Sequence, residues 1–84
     1  MTYKVIANPV AGRGRTKAAL PMLKQELDEL KIPYEIYLTK EPGHASSLAA
    51  DAVDYDGIIA VGGDGTINEV VCGMPKNKPL CIVP

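Results

Sequence analysis

The 84-residue sequence has no Trp and no Phe, only 4 Tyr and only 2 Cys. So few aromatics leave nothing to build a base-stacking platform for single-stranded nucleic acid. Cys72 and Cys81 are too few to staple a disulfide mini-protein, and neither sits in a Cys-x-x-Cys or Cys/His ligand spacing. They read as small buried hydrophobes in a reducing compartment. Neither sign of charge dominates: 9 Lys and Arg face 10 Asp and Glu, a net −1. The usual basic footprint of a nucleic-acid partner is therefore missing. No apolar run approaches the roughly 18 residues of a membrane span, and the first ten residues lack a signal-peptide core. The expectation is a cytoplasmic protein with no nucleic-acid partner.

What is present is the composition of a folded chain, 46% hydrophobic and 23% charged. One domain of this size buries roughly 60–65% of its unfolded surface. Four short β-type runs, Tyr3–Ala7, Tyr34–Leu38, Ile58–Val61 and Leu80–Val83, alternate with helical stretches. The third and fourth are continuously apolar, which predicts strands covered on both faces; the second alternates and belongs nearer an edge. Leu20, Leu23, Leu27 and Leu30 predict one buried helical stripe, with the helix starting around Thr16 to Ala19 because Pro21 is tolerated only near a helix start. Ala45, Leu48, Ala49 and Ala52 form a small-residue stripe suited to close packing. Thr66-Ile67-Asn68-Glu69 matches a capping box opening a third helix that ends near Gly73. The series predicts a three-layer α/β fold, a Rossmann-like parallel sheet of about four strands with flanking helices and right-handed crossovers. With the chain ending directly after the fourth strand, the expectation is the first part of a longer protein.

Ligands of such sheets bind beyond the carboxyl ends of the strands. Three unusual loops fall there: Asn8 to Arg15, Thr39 to His44, and Gly62 to Thr66. In the last, Gly62, Gly63 and Gly65 let the backbone bend and approach a ligand, and the helix that follows offers N–H groups to phosphate. Asp64 repels a bare anion, a conflict that a bound Mg²⁺ or a substrate hydroxyl resolves. The plainer reading is a tight turn with Asp64 and Thr66 as caps. The first loop is either a second phosphate cradle, with Gly12, Gly14 and Arg13 or Arg15, or a flexible helix entrance. It is neither a Walker A loop nor a Gly-x-Gly-x-x-Gly fingerprint. Thr39 either bonds a nucleotide or caps its turn, and the lone His44 reads as structural.

Gly62-Gly63-Asp64-Gly65-Thr66 followed by Ile67-Asn68-Glu69-Val70 resembles the glycine-rich signature of the diacylglycerol kinase catalytic domain family. Asn8-Pro9-Val10-Ala11-Gly12 resembles its opening motif, and Thr39 with Gly43-His44-Ala45 its second loop. NAD kinases share the Gly-Gly-Asp-Gly-Thr core; the Asn-Glu extension and Asn-Pro opening favour the lipid-kinase branch. The resemblance implies that residues 1–84 are the nucleotide-binding part of a lipid kinase whose β-rich second domain lies elsewhere. It implies an ATP site of Asn8, Pro9, Val10, Ala11, Gly12, Thr39 and Gly62, Gly63, Asp64, Gly65, Thr66, Ile67 and Asn68. Asp64 is the key acidic residue in it, acting on Mg²⁺ or the acceptor hydroxyl. The implied partners are ATP with Mg²⁺ and a lipid alcohol such as diacylglycerol, with transient membrane contact and room for a homodimer of the full-length protein. The alternatives are an NAD kinase-type enzyme and a non-catalytic nucleotide-binding module.

Overall fold

Alternation along two strands sorts the core into two layers. In β1 (Tyr3–Ala7) and β3 (Gly57–Val61), Ile6, Ile58 and Ala60 face one side of the sheet, and Val5, Ala7, Ile59 and Val61 the other. The computed structural model, which describes residues 2–83, covers the first side with α2 (His44–Ala50) and α3 (Asp64–Gly73), and the second with α1 (Arg15–Glu29). With β2 (Tyr34–Leu38) and β4 (Leu80–Val83) the strands form one parallel sheet in the order β2-β1-β3-β4. The expected three-layer α/β architecture is what forms.

β3 is buried along its whole length, as a two-sided strand must be. β2 lies at the edge, as its alternation predicted. β4 is the other edge, and the expectation that both its faces are covered fails: Cys81 and Ile82 are exposed. Among the described residues no helix reaches across that side of the sheet. Cys72 is exposed as well, so neither cysteine is the buried hydrophobe expected from composition.

α1 corrects two further expectations. It begins at Arg15, so Pro21 stands well inside it, where its nitrogen has no hydrogen to give the Lys17 carbonyl. Leu20 and Leu27 are buried and Leu23 half-buried, but Leu30 is 68% exposed. The stripe stops short because the helix ends at Glu29. Lys31 takes a left-handed φ of 58° and donates to the Asp28 carbonyl, while Ile32 donates to Leu27 at 2.9 Å. This is a Schellman ending with lysine where glycine is normally found. Lys31→Gly removes the left-handed strain and is expected to stabilise the protein by about 0.5–1 kcal/mol. Thermal melting checks it, an unchanged or lower Tm being the contrary result.

The helices α2 and α3 run parallel and touch through their backbones. A Cβ at Gly73 would stand 2.4 Å from the Ser46 carbonyl oxygen, and Ala45, Ala49 and Ala52 fill the layer beneath. The alanine stripe has the close-packing role its composition suggested.

At the β2 edge a polar cluster replaces apolar packing. Lys4 is 3% exposed; its Nζ donates to the Leu48 carbonyl at 2.8 Å and lies over the rings of Tyr37 and Tyr55. Tyr55 donates to Glu35 and meets the Tyr37 hydroxyl at 3.0 Å. Its hydrogen bonds to Glu35 and Tyr37, then desolvation, hold the Tyr55 hydroxyl well above its ordinary 10.0. The unfolded chain therefore loses this proton first, and stability falls as pH rises beyond about 10. Lys4 acts in the opposite sense: desolvation lowers it from 10.5, against Asp51 and Glu35, so its contribution grows toward that pH. The Tm of Tyr55→Phe is expected to decline less between about pH 9.5 and 11.5 than that of the wild type. Parallel declines would remove Tyr55 as the cause.

Candidate functional site: a cleft at the strand switch

From β1 the chain passes through α1 outward to β2, then returns across β1 through α2 to β3. The connections leaving β1 and β3 thus depart to opposite sides, the point at which an open α/β sheet leaves a crevice beyond its strands. Backbone bonds bring three loops to that rim. Asn8 donates to Val61 at 3.1 Å, Thr39 to Ala7 at 2.8 Å and Gly62 to Val83 at 3.2 Å. Between them lies a cleft of about 350 Å³. Of the residues expected from sequence, Asn8, Pro9, Val10, Thr39, Gly65 and Thr66 line it. Asp64, Ile67 and Asn68 line an open hollow on the neighbouring face of α3, with Gly65 shared between the two.

The first loop is ordered by its own residues. Asn8 Oδ1 accepts from the Val10 amide at 3.1 Å, and the Asn8 carbonyl from Ala11. Ala11 and Gly12 enter a short 3₁₀ turn, Ala11–Gly14, rather than a flexible lead-in. Arg13 at φ 57° and Gly14 at φ 91° then turn the chain into α1.

In the third loop Gly62 shapes the turn. A Cβ there would lie 2.9 Å from Thr66 Oγ1. The helix α3 starts at Asp64 with Gly63 as its cap residue and no side-chain cap. Thr66 is therefore inside the helix, buried, and the expected capping box does not form. Starting two residues early leaves the first-turn N–H groups without an internal partner. A Cβ at Gly63 or Gly65 would meet nothing within 4 Å, so the backbone is open on this side. Asp64 is exposed in that first turn, and its carboxylate makes no hydrogen bond or ion pair among the described residues. Ile67 is half-buried against the core, and Asn68 accepts a weak contact from Cys72.

Lys40, Glu41, Pro42, Ala45 and Glu69 also line the cleft; the first three belong to the second loop expected at this rim, but none of the five was among the expected site residues. Glu69 had seemed spent on a cap; its Oε1 instead accepts from the Gly43 amide at 3.2 Å. His44 is structural, as expected, its Nδ1 accepting from the Lys40 amide at 3.0 Å. The signal for the others was the Pro42-Gly43 turn, which folds the second loop over the cleft.

The sequence model of the diacylglycerol kinase catalytic domain matches residues 2–84. The chain belongs to that family. It is 36% identical over 86 residues to the diacylglycerol kinase of Staphylococcus saprophyticus, an alignment taking in 96% of this chain and 28% of that protein. To the diacylglycerol kinase of Staphylococcus haemolyticus it is 40% identical, over 96% of this chain and 26% of the relative. The crystal structure of a diacylglycerol kinase from Bacillus anthracis superposes with a TM-score of 0.77 at 31% identity, covering 99% of this chain and 32% of that one. The chain thus spans less than a third of the kinases it matches. No helix among the described residues is long and apolar enough to cross a membrane.

The cleft suits a nucleotide in one respect and a resident metal in none. Open glycine backbone and an uncapped helix start fit phosphate oxygens. Among the described residues no three His, Cys, Asp or Glu side chains gather to hold a cation. A single exposed carboxylate, Asp64, stands beside the cleft in the neighbouring hollow, and one carboxylate with phosphate oxygens is a donor set Mg²⁺ accepts.

Proposed function

We propose that this chain is the nucleotide lobe of an ATP-dependent lipid kinase that transfers the γ-phosphoryl to a lipid hydroxyl such as that of diacylglycerol. The observation that carries the reading is the cleft at the β1/β3 switch, where open glycine backbone and the uncapped start of α3 meet the Asn8 and Thr39 loops. Family membership supports the kinase chemistry, and the relatives named above supply the lipid class.

Bound Mg·ATP supplies the transferred group and neutralises part of its own charge. The chain's part is positioning and charge, the main sources of catalysis in phosphoryl transfer. The amides of Asp64, Gly65 and Thr66 donate to phosphate oxygens, with the dipole of α3 behind them. Asn8 keeps its Nδ2 for the ligand, because its Oδ1 is engaged by Val10. Pro9, Val10 and Ala45 give the cleft an apolar wall that excludes water from the nucleotide. Asp64 serves the cation or the acceptor hydroxyl. A lipid acceptor entails transient contact with membranes.

An amide NMR titration of the chain with Mg·ATP, with Mg²⁺ alone as control, tests the reading. Shifts are expected to group at Gly12, Thr39 and Gly62 to Thr66. A folded spectrum without them, together with a full-length protein that phosphorylates no lipid in a broad panel, overturns it.

A further inference from the structure

We infer that Glu69, together with His44, acts as a positioning pair that straps the second loop across the cleft and couples it to the phosphate-facing helix. The inference rests on the nucleotide reading above and adds to it two residues that touch no reacting atom.

The loop from Thr39 to Gly43 has no regular structure to hold it, yet its backbone is fixed almost throughout. Thr39 donates to Ala7 in β1 at 2.8 Å, Lys40 to His44 Nδ1 at 3.0 Å, and Gly43 to Glu69 Oε1 at 3.2 Å. The His44 amide closes the turn onto the Glu41 carbonyl. Two of these four acceptors are side chains, and they hold opposite ends of the segment. His44 ties the loop to its own helix α2. Glu69 ties it to a different element, α3, one turn beyond Thr66, so that both residues share the cleft wall.

The geometry explains why a carboxylate sits in a cleft meant for an anion. A free Glu69 would repel phosphate; with the Gly43 N–H directed at it, part of its charge is answered locally. Gly43 itself turns the chain into α2 with a left-handed φ of 86°. The parallel contact of α2 and α3, Gly43 opposite Glu69 and Ser46 opposite Gly73, sets the span the carboxylate bridges. Loop two therefore moves with the start of α3, and Thr39 is presented to the ligand at a fixed height.

The test compares variants that lose the acceptor with variants that keep it. In Glu69→Ala and Glu69→Met no oxygen remains for Gly43; in Glu69→Gln the amide oxygen still accepts. Likewise His44→Leu removes the acceptor for Lys40, whereas His44→Asn retains one near the Nδ1 position. Amide hydrogen exchange at Gly43 and Lys40 and the Kd for Mg·ATP are read by NMR on the same samples. The acceptor-less variants are expected to speed exchange at their own site and raise the Kd about fivefold to tenfold. Glu69→Gln and His44→Asn are expected to stay within about twofold of wild type. Unchanged affinity in Glu69→Ala and Glu69→Met, or a loss in Glu69→Gln as large as theirs, overturns the positioning role. A folded wild-type chain that binds no Mg·ATP overturns this role in the chain, and overturns the nucleotide reading as well when the full-length protein also phosphorylates no lipid; either result is distinct from wild-type binding that the variants fail to weaken.

Discussion

Under the proposed function, replacing Asp64 with Asn in a full-length protein that carries this lobe is expected to slow phosphoryl transfer by about a hundredfold to a thousandfold, the usual cost of losing one group aimed at transition-state charge. The fold should hardly notice. Asp64 is exposed and has no side-chain partner among the described residues, so only its favourable place at the start of α3 is lost, about 0.5 kcal/mol. Affinity for ATP without Mg²⁺ should rise, because a negative charge beside the phosphates is removed. The combination separates the proposed role from a structural one. An N-terminal helix charge that served only the fold would move Tm and leave the rate alone. A rate equal to wild type would take Asp64 out of the mechanism.

The second large effect has opposite signs in two assays. Gly65 lies in the first turn of α3 with an ordinary helical backbone, and a Cβ there would meet no atom of the protein within 4 Å. Nothing internal calls for glycine, which is a poor helix former. Gly65→Ala is therefore expected to stabilise the chain by about 0.5 kcal/mol. If the open space belongs to a phosphate, the same methyl blocks its approach to the amides and raises the Kd for Mg·ATP at least about tenfold, roughly 1.4 kcal/mol. Gly62→Ala is the contrasting control. Its Cβ would strike Thr66 at 2.9 Å, so it should lose stability and binding together. A Gly65→Ala chain that gains stability and binds normally would show that the glycine-rich turn faces no ligand.

Expectations that depended on local pattern mostly survived, the strand ends and the end of α3 at Gly73 among them; those that failed concerned the bounds of α1, the start of α3 and what covers β4. The four strands and their parallel order of connection followed from apolar runs alternating with helical ones. The site loops followed too, because strand direction alone puts them on one rim. Leu30 misled because helix periodicity cannot show that Lys31 will turn left-handed and end α1 early. The Thr66–Glu69 spacing fits a capping box in any sequence, but α3 begins at Asp64, which moves Thr66 inside and frees Glu69 for another loop. Cys81 and Ile82 read as core because apolar strands usually are; they are exposed because no helix among the described residues covers that edge.

The sequence by itself determined the class of fold and the placement of the three loops on one rim, because these depend on residue type and short-range spacing. Only the tertiary structure decided that β1 and β3 are neighbours with α1 on one face and α2 and α3 on the other. Both faces of those strands are apolar, so the pattern does not say which helix crosses on which side, and the crossing side sets the strand order. That order places the crevice between the first and third loops. The bond from Gly43 to Glu69, 26 residues apart in sequence, also exists only once α2 and α3 are packed side by side.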